Sequence, residues 1–234
     1  MSSQYCIVIS HHQSQSIPLF RQDIPTVFVF DDITPEDIAA VGTAPHVTAP
    51  CMGNRSVNRN LGLAYWRSHA SLRDDDTVEF FDGDRYPVKY APPEEEMCKY
   101  GCDVLLYPCE HDTRERLLVE GRGPEDTGGL SNAFYSCGFA ITHKAVKQVE
   151  SFNHGPFFRE EFEGWGAEDQ YMGLVLARLG IKARMSHDVR LHGSVGTDAR
   201  EHPEYAKTMR TYIDLARMNG LIDFSKLHVA NYGG

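Results

Sequence analysis

The chain has 234 residues, a formal net charge of −10, and hydrophobic and charged fractions of 41% and 24%. These fractions exclude a disordered or fibrous chain, and the acidic balance argues against a broad basic surface for nucleic acid. The sequence has no run approaching the roughly 18 apolar residues of a membrane span and no signal-peptide pattern, so we expect one domain over residues 1–234, in the cytoplasm and without a membrane partner.

Two short β-branched runs open the chain as predicted strands. Residues 5–10 end in Ser10 and are followed by His11, and residues 26–30 are followed by a pair of aspartates that includes Asp32. Apolar runs of this length are typical of buried parallel strands, and the polar residues at their C-terminal ends are candidates for binding a ligand.

A short helix, a longer helix and a third strand are predicted next. Thr34 precedes Pro35, and this pair predicts a helix start because proline is favoured at the first helical position. Residues 57–70 place their apolar side chains on one helical face. Residues 77–81 form another apolar run and are predicted to be a buried strand.

The second half of the chain continues the alternation of strands and helices, which predicts an α/β fold. In chain order we expect a strand at 103–107, a glycine-rich loop at 121–131, a strand from Phe139 that passes through Thr142 into a helix, a helix at 167–179 closed by Gly180, a strand at 182–185 and a helix at 203–218.

The segment Phe-Phe-Asp-Gly-Asp at residues 80–84 places two carboxylates directly after the third long strand. Asp82 and Asp84 would then lie at the exposed end of this strand, where they can hold a divalent cation against a phosphate. The alternative is a solvated turn, since Asp-Gly-Asp is also good turn sequence. Mg²⁺ or Mn²⁺ prefers such oxygen ligands, and Mn²⁺ also accepts imidazole.

A second acidic motif, Gly-Trp-Gly-Ala-Glu-Asp at 164–169, places Glu168 and Asp169 in the first turn of a predicted helix. Capping of the helix N-terminus explains the carboxylates alone. It does not explain Trp165 between two glycines, a ring on an open backbone that can stack on a sugar. Two late histidines, His187 and His192, are candidates for a further metal ligand.

A separate group of thiols in the middle of the chain raises the alternative of a structural zinc site. The group consists of Cys98, Cys102, Cys109 and His111. Its spacing lacks the paired Cys-x2-Cys knuckles of common zinc sites, and buried reduced thiols explain the cysteines equally well.

The order of an Asp-x-Asp strand end, a Gly-Trp-Gly-x-Glu-Asp helix start and a late histidine resembles the metal-dependent glycosyltransferases of the GT-A fold. The similarity is greatest to the β-1,4-galactosyltransferases, polypeptide N-acetylgalactosaminyltransferases and chondroitin synthases, and Val57-Asn58-Arg59 resembles the Phe-Asn-Arg segment of the galactosyltransferases. It spans roughly residues 5–195. The resemblance implies a central, mostly parallel mixed sheet with helices on both faces.

The resemblance also implies a role for each motif residue. It makes Asp84 the direct metal ligand, with Asp82 near the ribose or the waters of the metal, and it favours His192 over His187 as the further ligand. It makes Asp169 the general base that deprotonates the acceptor hydroxyl. The remaining roles are acceptor binding for Glu168, nucleobase recognition for Asp32, and contacts to the nucleotide-sugar from Ser10, His11, Arg59 and Trp165.

The implied activity is an inverting transfer of a sugar from a UDP-sugar to a hydroxyl acceptor such as a glycan, with Mn²⁺ or Mg²⁺. The nucleotide would bind in the half at about 1–110 and the acceptor in the half at about 111–200, followed by a C-terminal helix at about 203–219. One departure concerns the acceptor: Gln170 and Tyr171 follow the Glu-Asp pair, where the galactosyltransferases have two more aspartates. A compact bacterial or viral enzyme in the cytoplasm fits this pattern.

Three alternatives stay open at this point. The acceptor can instead be a hydroxymethylated base in DNA, although the net charge of −10 argues against it. A nucleotidyltransferase also uses Asp-x-Asp on an α/β sheet, but usually with a Gly- and Lys-rich phosphate loop that this sequence lacks. The third alternative is a non-catalytic sugar-binding module.

Overall fold

The computed structural model describes residues 2–10, 15–20, 23–49, 53–110, 134, 137–163, 167–193 and 203–222. The strands are β1 Gln4–Ser10, β2 Thr26–Phe30, β3 His46–Thr48, β4 Thr77–Asp82, β5 Pro87–Lys89, β6 Val104–Leu106, β7 Gly138–Thr142, β8 Ala183–Met185 and β9 Arg190–Leu191. The α-helices are α1 Pro35–Val41, α2 Arg55–His69, α3 Pro93–Tyr100, α4 His143–Asn153, α5 Glu168–Arg178 and α6 Tyr205–Met218. No helix in these ranges combines the length and the apolar character that a membrane crossing requires.

Seven strands form one mixed sheet in the order β3-β2-β1-β4-β7-β6-β8. The neighbours β3, β2, β1 and β4 are parallel, and β7 runs antiparallel to both β4 and β6. Because β1, β2 and β4 are parallel, their C-terminal ends lie side by side, and Asp82 is in register with Ile9. The C-terminal ends of these three strands therefore lie together at one edge of the sheet.

Two apolar layers cover the sheet, one on each face. The larger layer packs helices α2, α4, α5 and α6 against side chains such as Phe80 and Phe139. The smaller layer packs α1, α3 and the β9 strand against side chains such as Phe28 and Phe81. This arrangement confirms the predicted α/β class with a mixed sheet and helices on both faces.

The starts of α1 and α2 follow from side-chain capping. At α1 the Asp37 N–H donates to Thr34 Oγ1 at 3.1 Å and the Thr34 N–H donates to Asp37 Oδ2 at 3.0 Å, a capping box that confirms the predicted start. At α2 the N-cap is Asn54, which accepts from the Val57 N–H at 3.0 Å. Helix α2 therefore begins at Arg55, two residues before the predicted start.

Helix α2 lies unusually close to β1, and this contact fixes its position over the sheet. At Gly62 an added Cβ would lie 2.3 Å from Ile7 Cγ2, so only glycine allows the approach. One turn further along, Trp66 Nε1–H donates to the Cys6 carbonyl at 2.9 Å. The N-terminal turn of α2 is thereby held beside the C-terminal ends of β1 and β4.

A two-stranded ribbon forms a second, smaller sheet. Strands β5 and β9 are antiparallel, and Pro87 pairs with Leu191. Leu191 is fully buried against the smaller apolar layer. The ribbon brings residues 190–193 next to the chain that leaves the end of β4.

A buried carboxyl group, that of Glu79 in β4, lies on the side of the smaller layer. It accepts a hydrogen bond from Tyr90 Oη at 2.8 Å and further hydrogen bonds from Tyr107 Oη and Gln4 Nε2. Complete burial raises the pKa of Glu79 to about 7, although these donors act in the opposite direction.

The Glu79 carboxyl makes stability depend on pH. In the unfolded chain it titrates near 4.5 and in the folded protein near 7, so the folded protein retains a proton that the unfolded chain has already released. Its contribution to the free energy of unfolding is therefore full below the lower value and falls by about 3 kcal/mol as pH rises through this window.

The glutamine of a Glu79→Gln variant cannot ionise. Urea denaturation of the native protein and of this variant at several pH values measures the contribution of Glu79 to the free energy of unfolding. Relative to the native protein, the variant should gain about 3 kcal/mol between about pH 4 and pH 8. A stability difference that stays constant over this range would contradict the raised pKa of Glu79.

Candidate active site

The Asp-Gly-Asp turn at the end of β4 is fixed by backbone hydrogen bonds from both neighbouring strands. The Asp82 N–H donates to the Cys137 carbonyl at 2.9 Å, and the Gly83 N–H donates to the Ile9 carbonyl at 2.6 Å. The two carboxylates then differ in environment, because Asp82 is buried and the Asp84 side chain is 53% exposed. Of the two, Asp84 faces the solvent at the edge of the sheet.

Asp82 is bound by two arginines from one face of α2. Its Oδ1 lies 3.0 Å from Arg59 Nη2, and its Oδ2 lies 3.5 Å from Arg55 Nη1. The Arg59 side chain is 0% exposed. A fully buried guanidinium is tolerated only when a carboxylate compensates its charge, so Asp82 serves as the counter-ion of Arg59.

The Arg59 guanidinium is also enclosed from the other side by the segment after α4. It lies 5.2 Å from the centroid of the Phe158 ring. The neighbouring Asn60 holds this segment in place, donating to the Phe158 carbonyl at 2.8 Å and accepting from the Phe158 N–H at 3.0 Å. The resemblance implies that Arg59 contacts the nucleotide-sugar, whereas in the structure it lies behind Asp82 and has no exposed surface.

Arg55 was not singled out by the sequence patterns, yet it lies where the two acidic motifs meet. Burial acts against its charge, but the carboxylates of Asp82, Glu168, Asp169 and Asp84 together raise its pKa. Its side chain remains 35% exposed. The available signal was its position four residues before Arg59, which places both on the same face of a helix.

Helix α5 begins with the Glu-Asp pair directly after Ala167, which has a positive φ of 68°. The Glu168 side chain is buried, whereas Asp169 is half-buried. Burial and the neighbouring Asp169 raise the pKa of Glu168 well above its usual range, against the opposing effect of Arg59 and Arg55. Within the described residues, Glu168 Oε2 is buried without a hydrogen-bond partner. This atom has the capacity to bind a polar group that enters the site.

His192 lies beside the Asp-Gly-Asp turn because β9 pairs with β5. Its backbone N–H donates to the Tyr86 carbonyl at 2.8 Å, and its ring stacks on the Tyr86 ring with centroids 4.8 Å apart. The next residue, Gly193, lies so close to Arg85 that an added Cβ would be 2.2 Å from Nη1. Arg85 Nε in turn lies 3.8 Å from Asp84 Oδ2.

His187 lies at the other end of the ribbon and is oriented towards α3. Its backbone N–H donates to Glu96 Oε1 at 2.8 Å, and its ring faces Tyr100 at a centroid distance of 6.3 Å. Its carbonyl accepts from Lys89 Nζ at 2.9 Å. Of the two late histidines, His192 is the one placed next to the strand end that carries Asp84.

The structure describes only some of the residues that are predicted to contact the nucleotide-sugar. Asp32 is exposed just after β2, while its neighbour Asp31 is buried and accepts a hydrogen bond from Asn58 of α2. The side chain of Ser10 and the residues His11 and Trp165 lie outside the described residues.

The thiols of the alternative zinc site have different environments. Cys98 is exposed, Cys102 is half-buried and Cys109 is buried. No group of three or more histidine, cysteine or acidic side chains within the described ranges is arranged to hold a metal by itself. The fourth candidate ligand, His111, lies outside those ranges.

Comparisons of the sequence give no relative, since neither a model of a known protein family nor a curated protein matches the chain. Comparison of the structure does find similar proteins. A mannosyltransferase from Pyrobaculum calidifontis, in complex with GDP-Man and Mn²⁺, is 15% identical with a TM-score of 0.57 over 94% of this chain and 64% of its own.

Two further solved structures have the same fold. GalNAc-T7, with UDP, GalNAc and Mn²⁺, is 11% identical with a TM-score of 0.58 over 92% of this chain and 48% of its own. Mannosyl-3-phosphoglycerate synthase from Rubrobacter xylanophilus is 9% identical with a TM-score of 0.62 over 97% and 78%. This chain thus spans about half to three quarters of the length of these proteins, and the predicted GT-A fold is confirmed.

The unequal environments of the two aspartates at the end of β4 give a prediction for stability. Asp82→Ala should lower the free energy of unfolding by about 3–5 kcal/mol, because it leaves Arg59 buried without its counter-ion. Asp84→Ala should change it by less than about 1 kcal/mol, since the carboxylate is largely solvated. Urea denaturation of the three proteins measures both values, and equal losses in the two variants would contradict the different roles of the aspartates.

Proposed function

We propose that this protein is a metal-dependent glycosyltransferase that moves a sugar from a nucleoside diphosphate donor to a hydroxyl acceptor. The observation that carries the proposal is the meeting of two acidic motifs around Arg55 at the C-terminal edge of a GT-A sheet. Asp82 and Asp84 come from the strand end, and Glu168 and Asp169 come from the helix start. Compared proteins of this fold are described in complex with GDP-Man or UDP and with Mn²⁺.

The residues beside the strand end fit a divalent cation of the Mn²⁺ or Mg²⁺ type. Asp84 offers a half-exposed carboxylate and His192 a half-exposed imidazole, and the two lie on neighbouring chain segments. Such ions are commonly held by one or two protein side chains together with substrate phosphates, so a site without a third protein ligand is sufficient. When bound, the cation neutralises the charge that develops on the leaving diphosphate.

Arg55 supplies the second positive charge that a leaving diphosphate requires. Its guanidinium is partly exposed between the two acidic motifs, whereas Arg59 behind it is fully buried. A guanidinium presents several N–H donors and can bind a phosphate group in a bidentate manner. In this proposal Arg59 acts indirectly, because it holds Asp82 and thus the backbone of the Asp-Gly-Asp turn.

The Glu-Asp pair at the start of α5 serves the acceptor. Asp169 is half-buried, so it can reach an incoming hydroxyl and remove its proton during inverting transfer. Glu168 binds the acceptor through Oε2, which has no hydrogen-bond partner within the described residues. Trp165 lies three residues before Glu168 and is proposed to stack on the acceptor sugar. A glycan is favoured over a DNA base because the protein carries a net charge of −10.

The nucleoside is proposed to bind at the ends of β1 and β2, where Asp32 is exposed and can accept hydrogen bonds from the base. Ser10 and His11, at and after the end of β1, are proposed to contact the same nucleotide. The sequence resemblance favours uridine, while the compared proteins include complexes with both UDP and GDP. We therefore propose a UDP-sugar as the donor. A GDP-sugar is the alternative, and the binding test distinguishes the two nucleotides.

Metal-dependent nucleotide binding tests the donor site. Calorimetric titration of the native protein with UDP should show binding that requires Mn²⁺, and Asp84→Ala should weaken it at least about 10-fold because the cation loses its carboxylate ligand. Asp75→Ala is the matched control, since Asp75 is an exposed carboxylate in the loop before β4. Metal-independent binding, or equal affinity in Asp84→Ala, would contradict the proposed metal site, and a preference for GDP would replace the donor base.

The two acceptor carboxylates are separated by their effects on different steps. Asp169→Asn should retain Mn²⁺ and UDP binding while sugar transfer falls by about 10²–10⁴-fold, the usual contribution of a general base. Glu168→Gln should mainly raise the acceptor KM. The amide fills the same buried position, but the carboxylate that binds the acceptor is lost. An Asp169→Asn protein that transfers sugar at the native rate would remove Asp169 as the base.

A further inference from the structure

The ring of His192 is held on two sides by residues of other segments. Its Nδ1 lies 3.3 Å from Glu110 Oε2, and one face of the ring stacks on Tyr86 with an interplanar angle of 13°. The same Glu110 oxygen accepts the Gly193 N–H at 3.2 Å. These contacts therefore restrain both the orientation of the imidazole plane and the rotation of the ring.

Glu110 itself is held in place by the backbone around β9. Its N–H donates to the Leu191 carbonyl at 3.1 Å, and the preceding Cys109 forms an isolated β-bridge with Leu191. Leu191 is fully buried. The backbone that carries this carboxylate is thus hydrogen-bonded to β9, although the Glu110 side chain is 43% exposed.

A carboxylate beside Nδ1 determines which nitrogen of a neutral imidazole carries the proton. When Nδ1–H donates to the carboxylate, Nε2 keeps its lone pair and is free to bind a metal. Histidines that bind metals generally use this arrangement, in which the ring nitrogen that does not bind the metal donates to a carboxylate or carbonyl and thereby orients the ring.

We propose that Glu110 is a positioning residue for the metal site: it fixes His192 as the Nδ1–H tautomer and presents Nε2 to a divalent cation that Asp84 and the donor diphosphate also bind. This inference rests on the proposed function, since it assigns His192 to the metal. It goes beyond the sequence motifs, because Glu110 belongs to none of them.

Two measurements test the role of Glu110, one of them on the metal-free protein. Long-range ¹H–¹⁵N correlation spectra, recorded where the imidazole is neutral, should show His192 as the Nδ1–H tautomer in the native protein. In Glu110→Ala this tautomer should no longer dominate. Glu110→Gln should preserve it, because an amide oxygen in the same place can accept the Nδ1–H.

Calorimetric titration with Mn²⁺ at a fixed concentration of UDP supplies the second measurement. Glu110→Ala should weaken Mn²⁺ binding about 10- to 100-fold, the usual effect of losing a carboxylate behind a metal-binding histidine. Glu110→Gln should restore a large part of the affinity. Asp188→Asn is the matched control, because Asp188 is a similarly exposed carboxylate paired with Lys89, four residues before His192 in the chain, and it should bind Mn²⁺ like the native protein.

The outcomes distinguish this inference from the proposed function on which it rests. Native metal-dependent binding that His192→Ala weakens and Glu110→Ala leaves unchanged would overturn the role of Glu110 alone. Metal-dependent binding that His192→Ala does not weaken would overturn both assignments at this histidine. Native protein that binds no Mn²⁺ with either UDP or GDP would contradict the proposed function, and an unchanged His192 tautomer in Glu110→Ala would overturn the positioning role without any metal.

Discussion

The buried ion pair between Arg59 and Asp82 is the interaction on which the whole site depends. Arg59 is enclosed by α2, by β4 and by the Phe158 ring, so its charge requires a carboxylate at the end of β4. A buried pair of this kind adds little net stability, but breaking it is expensive because one charge is left without compensation. It therefore constrains where α2 can lie, and with α2 it constrains Arg55, whose pKa the surrounding carboxylates raise.

This constraint divides the work of the Asp-Gly-Asp turn between its two carboxylates. Asp82 is committed to the protein interior, whereas Asp84, two residues later, is exposed and is the carboxylate that the proposed function assigns to the metal. Arg55 lies between this turn and the Glu-Asp pair at the start of α5, and the proposed function therefore assigns it to a donor phosphate. In the proposed reaction the Arg55 guanidinium thus lies between the donor side and the acceptor side. His192 borders the site from the β5–β9 ribbon.

The sequence predicted the elements whose pattern is local and strong. Strands β1, β2 and β4 are long and buried on both faces, and α1 carries its capping box within four residues, so their positions were confirmed to within a residue. Strands β5 and β9 of the ribbon have only three and two residues, too few for a periodic pattern in the sequence to predict them. Because that ribbon places His192, neither its surroundings nor Glu110 could be derived from spacing. The sequence patterns did not indicate Arg55, because α2 begins directly after its Asn54 cap and therefore earlier than the apolar face of the helix predicts.

The most direct test of the proposed site is a crystal structure of the protein grown with Mn²⁺ and UDP, with the anomalous signal of manganese used to locate the ion. The account predicts one manganese peak bound by Asp84, His192 and oxygens of the diphosphate, with the Arg55 guanidinium in contact with a phosphate and Asp82 still paired with Arg59. A nucleotide bound at this edge of the sheet without manganese, or manganese bound by other residues, would contradict it.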